Sequence, residues 1–214
     1  MKVLLLNNSD NLGGAAIAAN RLMNALITNG IETKTLVLNK KTDDENVVSV
    51  KTFFTKQLLA SFYFLWERFI IFIYNRLSRK NLFKISIANA GFDVSKHFLV
   101  KNADIIHLHW INQGFLSLRS IKKLIKLGKP IVWTMHDMWN FTGICHHAQT
   151  CLNYTQNCGN CHYLKNPKNN DISYTHFNRK KKIYSNAQLF PVTCSNWLRQ
   201  AAEKWELLRN KPIS

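Results

Sequence analysis

The feature that most constrains this chain is its alternation of short apolar runs with longer amphipathic stretches. "KVLLLN" at residues 2–7 ends in polar residues, Gly13 and Gly14 open "AAIAANRLMNALITNG", and "TKTLVLN" supplies a second short run. A helix is marked by apolar residues three and four apart, here with Leu22, Ala25 and Leu26 as the expected inner face and Asn29 and Gly30 at its end. A short apolar run between turn signals marks a buried strand instead. Strand, helix and strand in succession make a βαβ unit, which implies a parallel sheet with the helix packed across it. "ADIIHLHW", "KPIVWTMH" and "AQLFPVTCS" repeat the strand pattern, and "GFLSLRSIKKLIKLGK", "DISYTHFNRKKKIYSN" and "SNWLRQAAEKWELLRN" repeat the helical one. The expected fold is α/β, a doubly wound parallel sheet of Rossmann-like type, whose ligands bind at the carboxyl ends of the strands. A chain of 214 residues buries roughly 70% of its unfolded surface. That is ample for one domain over 1–214, and no repeat or linker divides it.

One segment breaks the rhythm. Residues 53–80, "FFTKQLLASFYFLWERFIIFIYNRLSRK", are long, aromatic-rich and flanked by Arg76, Arg79 and Lys80. Glu67 and Arg68 interrupt the stretch before any uncharged run reaches the ~18 residues that cross a bilayer, so it is not expected to be transmembrane. Two readings stand: a helix buried against the sheet, or an interfacial helix that sinks its apolar face among anionic headgroups. The balance of 29 Lys+Arg against 12 Asp+Glu gives a net charge of +17, a field that concentrates phosphates, nucleic acid or anionic lipid. The lysines are scattered, so a solvated basic surface explains them equally well. "MKVLLLNNSD" has four apolar residues after its lysine and no small-residue cleavage site, so it reads as a first strand and not as a secretion signal. Five cysteines without a signal suit a reducing compartment, and the cytoplasm is the expected location.

Candidate ligand-binding residues fall at the ends of the strands. Gly13 and Gly14 follow the first strand, where a doubly wound fold places its phosphate-binding turn and where free helix-start amides face an anion. The dinucleotide fingerprint is absent: there is no G-x-G-x-x-G, and "TKTLVLN" leads to Asn39 and Lys40 in place of a ribose-binding acid, which argues against a nicotinamide enzyme. The plain alternative for the two glycines is a tight turn for helix-to-sheet packing. His136 and Asp137 end a later strand, where an imidazole donates hydrogen bonds to hydroxyls or phosphates and titrates near neutrality. His107 and His109 in "HLHW" are expected on opposite faces of their strand, so that only one faces a pocket.

Cys145, Cys151, Cys158 and Cys161 are spaced C-x5-C-x6-C-x2-C, and "CGNC" carries Gly159 where a tight knuckle aims two thiolates at one ion. Four soft ligands within this loop, 145–161, suit a structural zinc whose coordination compensates for a small local core. An iron–sulfur cluster, two disulfides or free thiols are the alternatives. Catalytic zinc would need His146, His147 or His162 to replace a cysteine and leave one position open. Cys194 reads as a small buried residue.

Taken together, "NLGGAAIAANRL", "ADIIHLHWINQGFL", "KPIVWTMHDMWNFTGICHH", the cysteine run and "PVTCSNWLRQAA" resemble the amino-terminal half of family 4 glycosyltransferases of the bacterial exopolysaccharide and colanic-acid type. The resemblance covers nearly the whole chain. It implies one half of a GT-B architecture, in which two Rossmann-like domains face each other across a cleft. It also implies retaining transfer of a sugar from a nucleotide-sugar donor to a glycan or lipid-linked acceptor, with no metal at the reacting centre. His136 is then the candidate catalytic residue, touching the transferred sugar, with Gly13, Gly14, Asp137 and His109 as candidate substrate contacts. Such acceptor domains commonly sit on the inner membrane surface, which agrees with the charge and the aromatic helix. The family's carboxyl-terminal donor-binding domain is not found before Ser214, so the chain is expected to be the acceptor-side half and inactive alone. The competing class is a zinc-stapled basic module for nucleic acid or a partner protein; the lack of a recognisable reading helix weighs against nucleic acid.

Overall fold

The computed structural model describes residues 1–51, 54–185, 187–209 and 213–214. The expected helix boundaries at Phe53, Asn186 and Asn210 lie outside the described residues. Six strands, β1 (Lys2–Ser9), β2 (Glu32–Asn39), β3 (Val47–Ser49), β4 (Ile105–Leu108), β5 (Ile131–Met135) and β6 (Leu189–Thr193), form one sheet in the order β3-β2-β1-β4-β5-β6. Every pairing is parallel, as the sequence alternation requires. β3 is the strand that periodicity missed, because three residues are too few to show a pattern.

Strand order reverses direction between β1 and β4, so the chain crosses to opposite sides of β1 and leaves a crevice at their carboxyl ends. β1 is buried from Val3 onward because both of its faces are covered. Leu4 and Leu6 join the larger core cluster with Leu36, Ile106, Leu108 and Trp133. Val3 and Leu5 point to the other side, against Ala19 and Met23 of α1 (Gly14–Thr28). The inner face of α1 is therefore Ala16, Ala19 and Met23. Leu22 and Leu26 pack at its margin, while Ala25 is exposed, a correction of about one residue in the helical phase.

α2 (Phe54–Tyr74) carries the aromatic segment. Its inward face is narrow and partly charged: Ala60, Glu67, Arg68 and Ile71 are buried. Glu67 Oε1 accepts from Ser86 Oγ at 2.7 Å and from the amides of Ile87 and Ala88 at 2.8 Å, and its other oxygen lies 2.9 Å from Arg68 Nη2. Arg68 also donates to the carbonyls of Leu82 and Ile85. The two charges that interrupt the apolar run thus pin the helix to segment 82–88. Leu58, Phe62, Leu65, Trp66, Phe69 and Ile73 lie outside, each exposed by 41% or more, with Phe62 stacked on Trp66 at 5.9 Å. Residues Thr55–Tyr74 are long and apolar enough to cross a membrane by length and composition, but their buried residues belong to this domain.

Between β3 and β6 lie α3 (Phe98–Asn102), α4 (Leu118–Ile125), a 3-10 turn at Asn153–Thr155 and α5 (Ile172–Tyr184). α6 (Asn196–Glu203) and α7 (Glu206–Arg209) follow β6. The starts of α4, α5 and α6 carry side-chain caps from Ser117, Asp171 and Ser195, the residue types whose oxygens accept from orphan first-turn amides. α1 starts instead at Gly13, without a side-chain cap.

Candidate active site at the carboxyl edge of the sheet

Because all six strands run the same way, Ser9, Leu108 and Met135 end at one edge, and β1, β4 and β5 are adjacent there. The residues immediately beyond them build a connected polar patch. Asn7 Oδ1 accepts from the Trp110 amide at 2.9 Å, and the Asn8 amide donates to the Trp110 carbonyl at 2.8 Å. The Trp110 indole donates to Asp137 Oδ2 at 3.0 Å. His146 Nδ1 donates to the same oxygen at 2.8 Å, and the Trp139 amide donates to Asp137 Oδ1 at 2.8 Å. Burial works to raise the Asp137 carboxyl, but the hydrogen bond and charge of His146, with the Trp139 amide and the Trp110 indole, hold it below the usual range. Asp137 is therefore an anchor with both oxygens occupied by protein donors.

Three imidazoles stack beside it. The rings of His107 and His109 lie 4.6 Å apart and those of His109 and His136 5.3 Å apart. The expectation that His107 and His109 face opposite ways is overturned, since a period of two puts residues i and i+2 on one face. His109 Nδ1 and His136 Nε2 share a hydrogen bond of 3.0 Å, and His107 Nε2 meets Thr134 Oγ1 at 2.8 Å. His109 is buried, and its Nε2 has no hydrogen-bond partner. Burial, and then the proximity of His136, push His107 down to about 4. Burial, with His107 and His136 beside it, pushes His109 down to about 2. His136 is half-buried and is lowered by burial against the opposing charge of Asp137. The stack is neutral at physiological pH, and a neutral imidazole both donates and accepts.

Gly13 and Gly14 sit beyond β1 on the same edge. A Cβ added to either would meet nothing within 4 Å, so close helix-to-sheet packing is not what requires glycine there. Gly13 has a φ of +86°, a conformation glycine adopts at no steric cost. Gly14 has neither constraint and borders open space.

A cavity of about 450 Å³ opens beside the ends of β1 and β2. Asn8, Asn39, Lys51 and Gln113 contribute its polar wall, and Phe64 and Leu65 of α2 part of its apolar wall. Lys51 Nζ donates to Asn39 Oδ1 at 2.6 Å, Asn39 Nδ2 to Asn8 Oδ1 at 3.0 Å, and Asn8 Nδ2 to the Asn112 carbonyl at 2.7 Å. Sequence reasoning did not single out Asn7, Asn8, Trp110 or Lys51, and it noted Asn39 only as standing in place of a ribose-binding acid; the adjacency of "LNN" to the first strand end was the available signal. His146, weighed as a metal ligand, instead holds Asp137. Cys194, expected to be buried, is exposed.

No solved structure matches this chain. It is 32% identical over 68 residues to the Escherichia coli (strain K12) protein named "Putative colanic acid biosynthesis glycosyl transferase WcaC", a match covering 29% of this chain and 17% of that protein. The model of the family described as Glycosyltransferase Family 4 matches residues 12–214. With the doubly wound sheet and the polar patch at its carboxyl edge, that match over nearly the full length shows that the chain belongs to Glycosyltransferase Family 4.

Proposed function

We propose that this chain is the acceptor-side domain of a retaining glycosyltransferase, moving a sugar from a nucleotide-sugar donor to a glycan or lipid-linked acceptor in cell-surface polysaccharide synthesis. The observation that carries the reading is the convergence of the imidazole stack and the Asp137 anchor at the β1–β4–β5 edge, next to a cavity with one polar and one apolar wall. Such a cavity suits an amphiphilic acceptor, with sugar hydroxyls against Asn8, Asn39 and Gln113 and a lipid portion toward Phe64 and Leu65. His136 is the residue proposed to touch the transferred sugar. Its Nε2 is committed to His109, so Nδ1 is the nitrogen left for a hydroxyl, and a neutral imidazole makes that bond without repelling a developing positive charge at the sugar. Asp137 and His109 act one step back, Asp137 by orienting the loop and His109 by fixing the His136 ring. Gly13 and Gly14 leave room for the donor phosphates beside the uncapped start of α1. The donor site itself belongs to a second domain facing this edge, and the proposed chemistry uses no metal at the reacting centre.

The exposed apolar face of α2, with exposed Arg76, Arg79 and Lys80 beyond its end, supports attachment to an anionic membrane surface, where a lipid-linked acceptor resides. The WcaC protein's printed role in colanic acid biosynthesis agrees with a polysaccharide product. The test is transfer of labelled sugar from a panel of nucleotide-sugars to polyprenyl-linked sugars, with this chain completed by a family donor domain. Replacing His136 by Ala is expected to lower kcat by at least about 100-fold, as loss of one aimed donor does, with the thermal midpoint unchanged. Transfer by that variant at the wild-type rate would remove His136 from the chemistry.

A further inference from the structure

The segment from Gly143 to Asp171 leaves the strand–helix alternation, and its only regular element is the three-residue 3-10 turn at Asn153–Thr155. Cys145, Cys151, Cys158 and Cys161 line one small cavity of about 20 Å³, together with Ile144, Ala148, Tyr154 and Ser173. That volume is close to the space of a single water molecule, or of one ion. Three of the four thiols are buried and the fourth half-buried, and all are free.

The surrounding backbone supports ligation and not mere packing. The Gly143 amide donates to Cys158 Sγ at 3.1 Å. Asp171 Oδ2 accepts from the Cys161 amide at 2.9 Å, and Asn153 Nδ2 donates to the Gly159 carbonyl at 2.9 Å. These contacts fix the Cys158–Cys161 knuckle against both flanks of the loop. A Cβ on Gly159 would lie 2.3 Å from the Asn169 carbonyl oxygen, and one on Gly143 would lie 2.3 Å from the Ser173 carbonyl oxygen; the loop closes only with glycine at both positions. Lys180 is fully buried, and its ammonium donates to the carbonyls of Trp139 and Thr142.

We propose that Cys145, Cys151, Cys158 and Cys161 form a tetrathiolate site for one structural zinc ion that staples this loop beneath the Asp137 anchor. Soft sulfur donors, four in number and three of them buried, suit tetrahedral zinc and leave no position for a reactive water. Binding displaces four protons to solvent as four Zn–S bonds form, leaving a net charge of −2 on the centre next to the buried Lys180. Among the described residues no group of three or more His, Cys, Asp or Glu already holds ligand geometry, so the ion draws the sulfurs in to the ~2.3 Å of a Zn–S bond. His162 borders the cavity but is exposed, and His146 is committed to Asp137. The inference stands apart from the sugar-transfer reading.

The test is metal analysis of the full chain, purified under reducing conditions from zinc-supplemented cells. One equivalent of zinc per chain that survives dialysis is expected, and it should persist in Cys194→Ser but fall at least about tenfold in the Cys158→Ser, Cys161→Ser double variant. Because that variant can fail to fold, two measurements on the unmodified protein complete the test. Replacement of zinc by Co(II) is expected to produce the intense visible absorption of tetrahedral thiolate coordination. Thiol titration is expected to find one reactive cysteine in the native protein and five after denaturation with chelator. Iron in place of zinc, a mass four hydrogens short of the reduced chain, four or five reactive native thiols without metal, or full zinc retention by the double variant would each overturn the proposal.

Discussion

Two buried polar clusters, one beneath α2 and one at the carboxyl edge of the sheet, differ in charge: the first is an ion pair and the second a stack of neutral rings. Beneath α2, the Glu67 carboxylate is fully buried, takes three hydrogen bonds on one oxygen and is ion-paired to Arg68 through the other. At the sheet edge, His109 is nearly as buried yet keeps one ring nitrogen without a partner, and it shares its other with a half-buried His136. Glu67 Oε2, Arg68 Nε and Arg68 Nη2 make no hydrogen bond beyond their ion pair, yet removing one member of a buried charge pair strands the other and weakens the structure. An incompletely satisfied neutral group costs stability and calls for an explanation. The contrast is between a charge pair that holds α2 and a neutral stack at the strand ends, where the sugar-transfer chemistry is proposed.

The largest effect expected from breaking the comparison is at Glu67. Glu67→Ala leaves the Ser86 hydroxyl, two amides and Arg68 without their acceptor and should cost about 3–5 kcal/mol, read by urea denaturation; a loss under 1 kcal/mol would show that the cluster does not anchor α2. The next effect is a pH response that belongs to the imidazoles. His107 and His109 have folded-state values of about 4 and about 2, below the unfolded value near 6.5. The unfolded chain therefore takes up protons first as pH falls. Their contribution is fully present above pH 6.5 and drains away below it, at no more than about 1.4 kcal/mol per pH unit for each ring. Denaturation curves between pH 7 and 5 should show that slope, to which His176, lowered by burial to about 3, adds a similar share, and His107→Gln should reduce it by one ring's contribution.

Smaller again is His109→Phe, which removes the orphan nitrogen. Stability should change by about 1 kcal/mol or less, while transfer by the completed enzyme falls as the His136 ring loses its partner; a loss of stability as large as that of Glu67→Ala would erase the distinction between the clusters. The smallest stability change, within about 0.5 kcal/mol, is expected for Trp66→Ala with Phe69→Ala on the outer face of α2. Co-sedimentation with anionic vesicles should nevertheless drop in this variant, and unchanged binding would free the aromatic face from any membrane role.

Much of this was legible before any coordinates. The alternation predicted five of the six strands and a parallel sheet, and the strand ends drew attention to His109, His136 and Asp137. The phase of α1 differs from the expected one because Ala16 and Ala19, which are buried with Met23, are weak hydrophobic signals. The two readings of α2 could not be separated by composition, because nothing along the chain says that Glu67 and Arg68 turn inward and the aromatics turn out. Glu67 and Arg68 look like interruptions in one dimension and are the helix's anchor in three.

Strand, helix and thiol spacing were decided by the sequence alone, because they are periodic along the chain and each depends on near neighbours. Which groups meet was decided only by tertiary structure. Asn7 reaches Trp110 across 103 positions, His109 reaches His136 across 27, and both contacts exist because β1, β4 and β5 pair side by side. Burial, and with it the neutral state of the imidazoles, likewise follows from what packs over them, since desolvation belongs to the assembled fold and not to any local run of residues.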